Sequence, residues 1–274
     1  MNPIKIIALD LDGTLLDSRK QISKENYEAL EKAAAEGIAI VPTTGRFFAQ
    51  MPDCVRELPF VDYAITVNGA CVYDVRNDTY IREASIPIKK AIRIMEHLDT
   101  IDCIYDAYLD NKAFLSASHR KRIPEFPLDE HYLQMWYNRI PVPDLKTFLL
   151  KKGSDIWKTQ CLVKDMDLKA ELLKTLPGLF EDILVTTSSY CNIEFNDIHA
   201  NKGEALLYLA EYLGCSRENI MAFGDDLNDQ SMIESAGIGI AMANSKEKIL
   251  QIADDIVSDN DHHGIAEGIY KHCF

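Results

Sequence analysis

The chain has 274 residues, 47% of them hydrophobic and 26% charged, with a formal net charge of −14 and a sequence pI near 4.9. So acidic a chain is not built to hold nucleic-acid phosphates, which are bound through Lys and Arg, and no apolar run reaches the roughly 20 residues that cross a bilayer. Asp10 and Asp12 arrive too early to leave a signal-peptide core, and the seven cysteines are odd in number and lack a C-x-x-C pair, so reduced thiols and a cytoplasmic protein are expected.

In chain order, Ile4 to Leu11 is a nearly continuous apolar run, as expected of a strand covered on both faces. Ser23 is a good N-cap for the helical segment "KENYEALEKAAAEG", which Gly37 ends. "IAIVP" is a second strand running into "TTGR", "YAITV" a third, and Asn68–Gly69 a turn before "ACVYD". Near the other end, "KGEALLYLAEYLG" is an amphipathic helix, "IMAFG" a strand, "NDQSMIESAG" a helix, and "GIGIAMA" and "DIVS" strands. This alternation predicts an α/β fold with a doubly wound, mostly parallel sheet.

The middle reads differently. It holds both tryptophans, many tyrosines and most of the prolines, and mixes helical pieces ("IKKAIRIMEHL", "LKAELLKTL") with short strands ("CIYDAYL", "IWKTQCLV", "YCNIEF"). We expect residues 1–84 and 190–274 to form the sheet core and residues 85–189 an inserted α+β unit.

The chemistry gathers where strands end. Ligands of open α/β sheets bind at the carboxyl ends of the strands, and Asp10 and Asp12 stand at the end of the first one. Alternate residues of a strand share a face, and two carboxylates so close need a cation or a shared proton. Gly13 lets the backbone turn so that amides face an anion. The plainer reading is that both acids only cap the strand end; D-x-D-G-T after such an apolar run favours a divalent metal with a phosphate.

A second acidic group, Asp225, Asp226, Asn228 and Asp229, follows "IMAFG". Its oxygen-rich character, without Cys or His, suits Mg²⁺ better than zinc, although Asn228 or Asp229 can also serve as a helix N-cap. Thr44 and Gly45 offer a hydroxyl and an open backbone where a phosphate could sit. Lys202 opens a helix, where a cation opposes the dipole unless an anion lies between.

"DLDGTLLDS", "TTGR", "NKGEAL" and "GDDLNDQSM", in this order, resemble the haloacid dehalogenase superfamily of phosphatases, and the long insert resembles the cap of its Cof-type (IIB) branch. The resemblance spans essentially the whole chain. It implies a Rossmann-like core with a mobile, substrate-selecting cap, and Mg²⁺-dependent hydrolysis of small-molecule phosphate monoesters such as sugar phosphates or phosphorylated cofactors. Asp10 matches the nucleophile, Asp12 the general acid/base, Lys202 the motif lysine, Thr44 the phosphate-binding residue and Asp225 a metal ligand, joined at the metal by Asp10 and the backbone carbonyl of Asp12. Gly45 and Asn228 are expected on the phosphate, with Asp229 and Arg46 in support. Thr43, Gln230 and "AMANS" depart from the branch's commoner residues without removing a catalytic group. A phosphomutase of the same superfamily and a phospho-aspartate signalling module are the alternatives. The partner is a small phosphate ester, with no nucleic acid and no membrane; the oligomeric state stays open.

Other candidates rank lower. "SHRKR" could hold a second anionic group but reads better as a solvated basic face. His262 and His263 are adjacent and point apart, which fits a loop role. Trp136, Tyr137 and Trp157 fit cap core better than a stacking platform, and Glu194 fits a pair with a nearby lysine.

Overall fold

The computed structural model describes residues 3–274. They divide into two compact units, one running to Glu83 and resuming over Ala200–Phe274, the other Ala84–His199. The expected boundary between residues 189 and 190 falls inside the second unit. "NIEF" belongs to Asn192–Asp197, which pairs antiparallel with Lys158–Val163 and so is tied to the insert's sheet.

In the first unit five parallel strands lie in the order Asp255–Val257, Ile238–Met242, Ile220–Gly224, Ile6–Leu9, Ala39–Pro42. Ile6, Ile7, Ala8 and Leu9 are all fully buried, which is why the first strand reads as an unbroken apolar run rather than an alternating one. Its odd-numbered side chains join a core with Ala29, Leu30, Ala33 and Ile269, and its even-numbered ones join Leu206, Leu209 and Ala222 on the other face. Each such Leu or Ile contributes about 1.5–3 kcal/mol by leaving water. Ser23 caps Lys24–Ala35 by accepting from Asn26 N at 3.3 Å.

Tyr63–Thr66 does not extend the parallel sheet as an ordinary neighbour. It forms an antiparallel three-stranded sheet with Cys71–Asp74 and Thr79–Glu83, and meets the parallel sheet through the single bridge between Thr43 and Ile65. The expected turn at Asn68–Gly69 makes the hairpin: Gly69 has φ +94°, and a Cβ there would come within 2.2 Å of Asn201 O.

The second unit is a six-stranded sheet in the order Ile183–Thr186, Asn192–Asp197, Lys158–Val163, Cys103–Leu109, Lys112–Ser116, Ile140–Val142, antiparallel except for its last pair. One face carries Tyr105, Ala107, Cys161, Val163, Ile193 and Phe195, packed in one apolar cluster with Ile94, Met95 and Leu98 of the helix Ile88–Leu98 and with Leu145, Leu149 and Leu172. The other face is divided. Ile104, Leu115 and Leu162 are packed with Trp136, Ile123 and Phe126, whereas Asp106, Tyr108, Lys158, Gln160 and Glu194 make a buried polar row.

All seven cysteines are unpaired. Among the described residues no helix is long and apolar enough to cross a membrane.

Candidate active site

The strand Ile6–Leu9 ends before the two acids it delivers. Asp10 continues the ladder by one bond, donating from its amide to Phe223 O at 3.0 Å, and is nearly buried; Asp12 lies on the turn beyond. The expected sharing of one strand face therefore does not hold, and the carboxylates find different partners. Lys202 Nζ donates to Asp10 Oδ1 and to Asp229 Oδ1, both at 2.5 Å. Asp12 accepts instead from Lys20 Nζ and Arg46 Nη2, both at 2.7 Å.

Lys202 is fully buried as the first residue of the helix Lys202–Tyr212, whose cap is Asn201, accepting from Glu204 N at 2.8 Å. The anions that reconcile a lysine with this helix terminus are the two carboxylates it joins.

The loop after Ile220–Gly224 is built around Asp229. Its Oδ2 accepts from the amides of Asp225 and Asp226, both at 3.0 Å, so it holds the loop while its other oxygen meets Lys202. Thr14 Oγ1 donates to Asp225 Oδ1 at 2.7 Å. Gly13 has φ +90°, and a Cβ there would stand 2.5 Å from Asp225 Oδ2, so only glycine admits this approach.

Carboxylate oxygens of Asp10, Asp225 and Asp229 lie within 4.8 Å of one another, a spacing that can hold a metal ion. Burial pushes the Asp10 carboxyl well above its ordinary range; Asp229 and Asp225 add to this and Lys202 opposes it. Burial also lifts Asp225 to about 6, with the Thr14 hydroxyl opposing and Asp229 reinforcing. Carboxyls raised chiefly by burial, and further by one another, are ionised at a cost that a bound cation would offset, and oxygen donors without nitrogen or sulfur fit Mg²⁺. Asp12 behaves oppositely: burial works to raise it, but Arg46 and Lys20 outweigh burial and hold it below the usual carboxylate range.

Thr44 is buried, its amide bonded to Ile65 O at 2.9 Å and its hydroxyl accepting from Arg46 N at 3.3 Å. A Cβ on Gly45 would stand 2.8 Å from Asn68 Oδ1, the atom that accepts from Asn228 Nδ2 at 3.4 Å. Thr44, Gly45 and Asn228 thus converge around Asn68, which sequence reasoning treated only as a turn residue. Thr14, Lys20 and Asn244 were missed as well; Asn244 Nδ2 donates to Gly13 O at 2.8 Å. Thr14 had a signal, being the last residue of D-x-D-G-T, while Lys20 and Asn244 had none.

The lower-ranked candidates find local partners. His262 meets Asp259 and His263 meets Ser23 Oγ, in different directions. Arg120 of "SHRKR" donates to the carbonyls of Tyr137 and Arg139, and Arg122 pairs with Asp102 and Glu125. Trp136 and Trp157 are buried, and Glu194 pairs with Lys158 at 2.8 Å.

The family model for haloacid dehalogenase-like hydrolases matches residues 7–269. The chain is 30% identical to the phosphatase YwpJ of Bacillus subtilis, over 98% of this chain and 99% of that one. It is 32% identical to the 5-amino-6-(5-phospho-D-ribitylamino)uracil phosphatase YcsE of the same organism, over 97% and 94% of the two chains. Among solved structures, a haloacid dehalogenase-like hydrolase from B. subtilis superposes with a TM-score of 0.82 at 29% identity, covering 99% of this chain and 100% of that one.

Proposed function

The chain belongs to the haloacid dehalogenase-like hydrolases, as a phosphatase of the Cof type, and from that premise we propose that it hydrolyses small-molecule phosphate monoesters with Mg²⁺ through an aspartyl-phosphate on Asp10. The carrying observation is the constellation of Asp10, Lys202, Asp225 and Asp229, in which buried Lys202 pairs with Asp10 and Asp229 while half-buried Asp225 lies beside those two carboxylates. Asp10, Asp225 and the backbone carbonyl of Asp12 would hold the metal, which when bound neutralises the acids and the substrate phosphate so that a carboxylate can approach it.

In the first step a carboxylate oxygen of Asp10 bonds to phosphorus as the ester oxygen leaves. Lys202 fixes Oδ1 of Asp10, so we assign the attack to Oδ2. Lys202, the Thr44 hydroxyl and Asn228 stabilise the charge that spreads over the phosphoryl oxygens. Asp12 protonates the leaving alcohol and later takes a proton from the water that cleaves the acyl phosphate. Held by Lys20 and Arg46, Asp12 is an ionised carboxylate, ready as the base; to serve as the acid it must release those cations and take up a proton from solvent, which it then passes to the leaving oxygen. Arg46 then becomes available to the substrate phosphate.

We assign substrate choice to the unit Ala84–His199 and favour sugar phosphates or phosphorylated cofactors, in keeping with the ribityl phosphate named for one relative. The seven free thiols support a reducing, cytoplasmic setting. The test is inorganic phosphate release from a panel of small phosphate esters, with and without EDTA. Hydrolysis that stops in EDTA and returns with Mg²⁺ is expected; undiminished hydrolysis in excess EDTA overturns the mechanism.

A further inference from the structure

Three consecutive residues, Val67, Asn68 and Gly69, take positive φ, at +53°, +58° and +94°. Glycine enters that region freely and asparagine tolerates it, but a β-branched side chain there is a genuine outlier. Val67 is also fully buried. A two-residue Asn-Gly turn closes a hairpin without bending the residue before it in this way. Something other than the hairpin therefore holds the valine in a strained backbone, and strain of this kind persists only where its surroundings fix it.

The surroundings are elements of the candidate site. Val67 N donates to Arg46 O at 2.9 Å and Asn68 N to Thr44 O at 3.0 Å, while Thr44 N donates back to Ile65 O at 2.9 Å. The carbonyls of Thr44 and Arg46, which would repel a phosphate, are thus committed to the bend. Gly69 packs against Asn201, the cap of the helix that begins with Lys202, so closely that no Cβ fits between them. Arg82 secures the bend from the third strand, its Nη1 donating to Gly69 O at 2.6 Å.

The bend aims one polar side chain. Asn68 Oδ1 accepts from Asn228 Nδ2 at 3.4 Å and stands 2.8 Å from the place of a Cβ on Gly45, so that Gly45 has to be a glycine for Asn68 to sit there. Asn68 is half-buried on a fixed backbone, whereas Asn228 is exposed. An exposed side chain loses rotamer freedom when a ligand engages it, and a partner that restrains it beforehand removes part of that loss. An amide nitrogen carries two protons. With one directed at Asn68, the other is held in a set direction. The bond is long, as hydrogen bonds of reacting sites are before substrate tightens them.

We infer that Asn68 is a positioning residue of the phosphate pocket: the strained bend at Val67 and Asn68 holds its amide beside Gly45, and its Oδ1 orients the Asn228 amide toward the phosphoryl oxygens. The inference rests on the reading above in which Asn228 serves those oxygens, and it adds a residue that acts through Asn228 without touching the phosphate.

The test is a double-mutant cycle on the binding of inorganic phosphate, read as its competitive inhibition constant against p-nitrophenyl phosphate with Mg²⁺. Asn68→Gly removes the amide and keeps a backbone for which a φ of +58° is unstrained. It should melt within about 4 °C of the wild type and weaken phosphate binding about 2- to 10-fold, the cost of immobilising one side chain on binding. Asn228→Ala should weaken it about 10- to 100-fold, as loss of a hydrogen bond to a charged group does. The double variant should lie within about twofold of Asn228→Ala alone, because Asn68 has nothing left to orient. Losses that multiply instead show that Asn68 acts on the pocket independently of Asn228, and overturn the inference. So does an Asn68→Gly variant that binds phosphate as the wild type does, or one that no longer folds, since the residue is then structural. Unaltered phosphate binding in Asn228→Ala overturns the phosphate role given to Asn228 above, and this inference with it.

Discussion

Lys202 Nζ lies 2.5 Å from Asp229 Oδ1, and neither side chain is exposed to solvent. The same ammonium holds Asp10, so one lysine balances two buried carboxylates that also face Asp225. Its removal leaves uncompensated charge in a closed site. Lys202→Met should cost about 3–5 kcal/mol of stability and reduce kcat by about 100- to 1,000-fold. Thermal melts and steady-state kinetics check this. A variant as stable as the wild type would mean that the carboxylates are not ionised together.

Asp225 gives a pH signature. Its carboxyl is raised from an ordinary 3.8 to about 6, so the metal-free folded state binds that proton more tightly than the unfolded chain does. The stabilisation is full below the ordinary value and is lost as pH rises through about 6, a change of up to about 3 kcal/mol. In EDTA, Asp225→Asn should therefore melt above the wild type at pH 7.5 and alongside it near pH 4. With Mg²⁺ the order should reverse at pH 7.5, because the wild type alone keeps the ligand. Below pH 6 the affinity for Mg²⁺ should weaken about tenfold per pH unit as the proton competes. Melts of both proteins across pH, with and without Mg²⁺, read all three effects.

Gly13 serves geometry. Alanine at φ +90° is strained by about 1–3 kcal/mol, and its methyl would meet Asp225 Oδ2 at 2.5 Å. Gly13→Ala should retain the fold with a modestly lowered melting temperature but lose most Mg²⁺ affinity, because Asp225 must move. Isothermal titration with Mg²⁺ is the check, and unaltered affinity would exclude this role.

The core site was legible because its residues sit where period and punctuation coincide. A fully buried strand reads as an apolar run, and the acids after Leu9 and Gly224 break that run abruptly. The interior of Asn192–Asp197 was also plain, but its partner strand was not, since pairing is decided by register with a distant segment; hence the misplaced boundary. Asp12 was read by strand period, whereas the strand stops at Leu9 and the next turn directs its carboxylate to Lys20 and Arg46. Lys20, with φ +61°, adopts a left-handed backbone that nothing in "SRKQIS" announces. The helix Gly264–Cys273 escaped because an adjacent histidine pair and a short polar loop precede it, with no conventional cap: His263 at its N-cap makes no capping bond.

Asp12 carries the most demanding prediction, because its two assigned roles can be separated. p-Nitrophenolate leaves well without protonation, so the acid role is nearly dispensable with p-nitrophenyl phosphate. The base role is not, since water must be activated whatever alcohol has left. Asp12→Ala should form the aspartyl-phosphate on Asp10 and then hydrolyse it slowly, giving a burst of nitrophenolate approaching one equivalent per enzyme and a slow steady state. The trapped species should be labile to hydroxylamine, as an acyl phosphate is. Asp10→Asn should give neither burst nor trapped phosphate. The variant also frees Lys20 and Arg46, which adds positive charge near the phosphate and should lower KM while kcat falls. Mg²⁺ affinity is measured alongside, so that loss of the metal is not mistaken for loss of the base. If Asp12→Ala binds Mg²⁺ and substrate normally yet shows no burst, Asp12 is needed before the phosphoryl group moves, and the division of its work into acid and base halves is wrong.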